Sequence, residues 1–118
     1  MIKKEINYEE IERYLSVFGK DKFCGLWNEF LNCSAENWQN MDNIEFAEKR
    51  YVFHNWRSGS KIFGMDKFST LCQRAEDCII NCRTEKAIQL INECRECYTE
   101  QITAVKQYLL MMEQENEE

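Results

Sequence analysis

Apolar residues recur at helical spacing in five successive segments of the chain. The first starts at Asn7, an N-cap residue with Glu10 three positions later. It carries Ile11, Tyr14, Leu15 and Phe18 on one stripe before Gly19 stops it. A second segment begins near Asp21, sets Phe23, Leu26, Trp27, Phe30 and Leu31 on one face, and closes after Trp38 in the polar stretch from Gln39 to Asn43. The third is expected to run from Asp42 to Phe63, with Gly64 as its C-cap. A fourth starts near Asp66, repeats Phe68, Leu71, Cys72, Ala75 and Ile79, and stops between Asn81 and Arg83. Thr84 caps the fifth and longest, whose stripe runs through Ala87, Leu90, Ile91, Cys94, Tyr98, Ile102, Val105, Leu109 and Met112. Its acidic end, Glu113 to Glu118, is expected to fray. Four long helices with short connections predict an all-α fold. The expected form is an antiparallel up-and-down four-helix bundle with a short extra N-terminal helix over one end, in a single domain covering residues 1–118.

Composition agrees with that reading. The chain has no proline and only four glycines in 118 residues, few of the residues that interrupt helices or build the turns of a sheet. Fifteen basic residues against 21 acidic ones leave a net charge of −6, which repels a phosphate backbone, so no nucleic-acid partner is expected. No apolar run reaches the length of a membrane span, and MIKKEINYEE lacks the apolar stretch of a signal peptide, so a cytoplasmic protein that does not enter the membrane is expected. Seven cysteines are an odd number in a chain with a full set of core residues, which favours reduced thiols. Cys78, Cys82, Cys94 and Cys97 form a C-x3-C-x11-C-x2-C pattern. In a hairpin turning near Cys82, Cys78 would lie about 6 Å before the turn and Cys94 about 15 Å after it, heights that one zinc ion cannot bridge. No metal or cofactor of the protein's own is expected.

The third segment holds the only histidine, His54. At 100° per residue, Val52, Trp56, Gly59 and Phe63 lie opposite it and form the expected buried stripe. Around His54 lie Ala47, Arg50, Arg57, Ser58, Lys61 and, if the helix continues, Met65. An imidazole among small and cationic side chains suits the binding of an anion and phosphoryl chemistry.

From His54 onward this stretch resembles the histidine-containing phosphotransfer (HPt) family. His54, Arg57, Ser58, Gly59, Ser60 and Gly64 stand where its motif has histidine, a basic residue, small residues and a glycine, and Phe68, Cys72 and Ala75 match its next helix. The number and order of helices extend the resemblance over most of the chain. It implies a phosphorelay intermediate of two-component signal transduction. His54 would accept a phosphoryl group from a receiver-domain aspartate or a histidine kinase and pass it to a response regulator. The implied partners are a receiver domain, a hybrid histidine kinase or both, the Mg2+ ion would sit on the receiver, and the protein would be a monomer. The family also has a glutamate or glutamine 22 residues after its histidine, bonded to the unreactive ring nitrogen. Glu76 has that spacing, and a hairpin turning at Gly64 and Met65 brings it level with His54; Gln73, one turn earlier, is the second candidate. Arg57 and Lys61 would offset charge on the phosphoryl oxygens. Two departures stand out. Ser58 replaces the usual glycine four residues after the histidine, and Arg57 replaces lysine with a planar fork. Ser58 keeps open an alternative, an HPt-like protein that docks on a receiver or kinase without efficient transfer.

Overall fold

The computed structural model describes residues 5–117; Met1 to Lys4, part of the N-terminal stretch read above for a signal sequence, and Glu118 lie outside them. The chain is all-helical, with five α-helices and no strand among the described residues. They are α1 (Tyr8–Phe18), α2 (Lys20–Gln39), α3 (Lys49–Gly59), α4 (Asp66–Ile80) and α5 (Thr84–Glu117). The acidic stretch from Glu113 thus continues α5 as far as Glu117.

Asn7 caps α1 as expected: its Oδ1 accepts from the Glu10 amide at 3.2 Å. The reciprocal half of a capping box is missing, because the Glu10 carboxylate pairs with Arg13 at 2.8 Å instead. Gly19, at φ 84°, ends the helix where a side chain would be strained. Gly64, at φ 70°, ends the third segment. It has a second role, because its carbonyl accepts from the Asn7 amide at 2.7 Å and a Cβ there would press on the Asn7 backbone.

The third segment departs from the expected continuous helix over 42–63. Two 3-10 turns, Met41–Asn43 and Phe46–Glu48, precede α3, and a third, Ser60–Phe63, follows it. Lys49 Nζ fixes the stretch before α3, donating to the carbonyls of Met41 at 2.6 Å and Ile44 at 2.8 Å. The Met41 carbonyl also accepts from the Ile44 amide at 3.2 Å, which closes the first 3-10 turn, and Ile44 itself is extended (φ −86°, ψ 132°), which breaks the helix there. The buried stripe shifts too. Phe53, Trp56, Ser60 and Phe63 are buried, while Val52 and Gly59 are only half-buried, and Met65 is not on the His54 face but fully buried beyond the helix end.

Helix α3 packs on α4, and α4 on α5. Contacts between His54 and Glu76 and between Arg57 and Ser69 fall in register as one number rises and the other drops, so α3 and α4 are antiparallel. Phe68 bonding Gln101, and Cys72 meeting Cys94, give α4 and α5 the same relation. The aromatic residues assemble into the core. Phe63 packs on Phe23 and Trp27 with centroids 5.4 and 5.0 Å away, and Trp56 packs on Phe53, Phe68 and Trp38. Phe30, expected in the core, packs at its edge half-buried.

Candidate functional site

The α3–α4 pairing brings His54 and Glu76 together. His54 Nδ1 lies 2.8 Å from Glu76 Oε2. A carboxylate only accepts, so Nδ1 is the donating nitrogen, and in the neutral ring Nε2 is then the one with the lone pair. The histidine side chain is 53% exposed and the glutamate side chain 11%, so the contact joins a solvent-facing ring to an anchored carboxylate. The expected exposure of His54 and burial of Trp56 and Phe63 are all present.

Arg57 completes the cluster. Its Nη1 stands 3.5 Å from Glu76 Oε1, an oxygen that has no hydrogen bond of its own and would otherwise be a buried lone charge. One carboxylate therefore faces the ring with one oxygen and a guanidinium with the other. The Arg57 backbone is held as well, because Ser69 Oγ on α4 donates to its carbonyl at 2.6 Å. That carbonyl lies near the end of α3, where helical partners run out. Sequence reasoning missed Ser69. Its only signal is a small polar residue beside the apolar Phe68 and Cys72, and the need for it arises from a helix end that periodicity did not locate.

Ser58 is exposed one turn beyond His54, and its hydroxyl makes only a long 3.5 Å contact with the Asn55 carbonyl, leaving it available to a ligand. Gly59 gives no close approach in its place: a Cβ there would meet nothing nearer than a Phe30 ring carbon at 4.0 Å. Lys61 falls in the 3-10 turn after α3 and lines a depression with Asn7, Arg13 and Asp66; no ion pair among the described residues joins it to Glu76. Gln73 is exposed on α4 and makes no hydrogen bond to His54. Arg50, one turn before His54, leans on Tyr51, with Nη2 2.6 Å from the phenol oxygen.

The cysteines of the C-x3-C-x11-C-x2-C pattern do not share an environment: Cys94 and Cys97 are buried, Cys78 is half-buried and Cys82 is exposed. No group of three or more metal-ligating side chains lies together among the described residues. Burial pushes the Cys97 thiol up to about 11 and raises Cys72 as well, which keeps both protonated near neutrality. Among the described residues no helix is long and apolar enough to cross a membrane.

No protein-family model, no curated protein and no solved structure matches the chain.

Proposed function

We propose that this protein is a histidine phosphotransfer protein, a cytoplasmic phosphorelay intermediate whose helices α2 to α5 form an antiparallel four-helix bundle with α1 across one end. The observation that carries this reading is the 2.8 Å contact between His54 Nδ1 and Glu76, which fixes the ring proton away from Nε2. In the proposed reaction Nε2 attacks the phosphorus of a receiver's aspartyl phosphate in line. An N–P bond forms as the aspartate O–P bond breaks, and the aspartate leaves as carboxylate. Arg57, at the edge of the same cluster, offsets charge on the phosphoryl oxygens. Mg2+ would be held by the receiver, and His54 returns the group to a second regulator by the reverse step. Transfer of radiolabel from a phosphorylated receiver domain tests the proposal. Label should appear on the wild-type chain as an acid-labile, alkali-stable phosphoramidate and be lost in His54→Gln.

A docking protein of the same fold is the second reading, and Ser58 favours it by putting a side chain where a partner's phosphoryl group would approach. A receiver that binds the chain but transfers nothing to it would select that reading.

A further inference from the structure

Helix α5 runs for 34 residues, about 51 Å at 1.5 Å per residue. Its neighbour α4 begins only at Asp66, and the Phe68 amide is tied to Gln101 Oε1 at 3.0 Å. Because the two helices are antiparallel, the part of α5 beyond Gln101 has no α4 beside it. Helix α1 covers one side of that part: Tyr108 lies 4.9 Å from the Tyr8 ring and donates to Glu12 at 2.8 Å. What remains is a groove of about 350 Å³, whose lining includes Leu15, Lys20 and Trp27 and, along α5, Lys106, Leu109, Leu110, Met112 and Glu113. Leu110 and Met111 are 57% and 59% exposed, unusual for apolar residues side by side.

Four of the five α5 residues, Lys106, Leu109, Leu110 and Glu113, stand at i, i+3, i+4 and i+7, one stripe of the helix, in the order cation, apolar, apolar, anion, with Met112 at its flank. Neither Lys106 nor Glu113 takes part in an ion pair among the described residues. A stripe in this order complements itself when turned end for end. A two-fold axis between Leu109 and Leu110 sets Lys106 of each copy level with Glu113 of the other, and Leu109 level with Leu110. We infer that a second copy of this chain docks in the groove, α5 against α5 and antiparallel, through Lys106, Leu109, Leu110 and Glu113. This dimer differs from the monomer that the sequence reading expects. The net charge of −6 opposes association only weakly at physiological salt, where its reach is about 8 Å. The groove is built by α1, α2 and α5, and none of its lining residues comes from α3 or α4, so the inference stands or falls independently of the phosphorelay reading.

Charge reversal with rescue tests it. Sedimentation equilibrium of the full chain, up to about 100 µM, should give twice the mass of one chain. Lys106→Glu and Glu113→Lys should each lose the doubled mass, since like charges then face each other twice across the axis, and the double variant should recover it. Leu110→Glu should be monomeric with unchanged helicity by circular dichroism. A wild-type chain that stays monomeric throughout overturns the inference, as does a dimer indifferent to Leu110→Glu or a double variant that fails to recover.

Discussion

His54 and Glu76 are separated by 22 residues of sequence and by 2.8 Å in space, and the carboxylate that orients the imidazole is itself held by Arg57. The three side chains work as a chain of support. Arg57 faces one Glu76 oxygen at 3.5 Å, Glu76 faces Nδ1 with the other, and the His54 side chain stays 53% exposed.

Removing the middle member should therefore change the ring before it changes the fold. In Glu76→Ala, nitrogen NMR should show His54 losing its single Nδ1-H tautomer in favour of a mixture. Phosphoryl uptake should slow by roughly tenfold, about 1.4 kcal/mol and near the low end for a hydrogen bond to a charged group. An unchanged tautomer would mean that Glu76 does not set the ring.

Ser58→Gly tests what the hydroxyl does. If it obstructs the partner, the variant should accept phosphate faster, despite a loss of roughly 0.5 to 1 kcal/mol in helix stability. A slower variant would show instead that the hydroxyl binds the phosphoryl group, and an unchanged rate would remove the basis for the docking-only reading.

Two turn positions should respond in opposite directions. Cys82 sits at φ 57° between α4 and α5, where the Arg83 amide bonds the Cys78 carbonyl at 2.8 Å and the turn demands a left-handed residue. Cys82→Gly should raise stability in urea by about 1 kcal/mol. Gly64→Ala should lower it by about 2 kcal/mol or more, because strain at φ 70° adds to the press of a Cβ on the Asn7 backbone.

Ser69→Ala should cost about 1 kcal/mol of stability through its bond to the Arg57 carbonyl. It should also slow phosphoryl uptake, since the last turn of α3 carries Arg57. Normal uptake in a destabilised variant would confine Ser69 to a structural role.

Alkaline pH should weaken the fold. Burial raises the Cys97 thiol from its ordinary 9.0 to about 11, so its contribution is complete below pH 9 and is lost as pH rises from 9 toward 11. Cys72, raised further by burial, adds to the same slope. Urea midpoints measured across that range should fall, and fall less steeply in Cys97→Ala.

Local rules carried much of the fold. Asn7, Gly19 and Gly64 mark helix ends by cap chemistry that acts within a few residues, and the stripes of α4 and α5 follow from a 3.6-residue period. The histidine face could be read in the same way, because an exposed His54 opposite Trp56 needs only the turn per residue. What local rules could not reach was decided between elements. The stretch before α3 is fixed by Lys49 bonding two carbonyls, and the left-handed Cys82 depends on how α4 meets α5, with no glycine to announce it. Arg57 and Lys61 looked equivalent on a continuous helix. Tertiary structure separated them, since ending α3 at Gly59 leaves Lys61 in another turn, while packing against α4 gives Arg57 the Glu76 carboxylate. A spacing of 22 residues can suggest that two side chains meet, but only the packing of α3 on α4 sets the depth and direction that turn Glu76 into a buried partner of a solvent-facing ring.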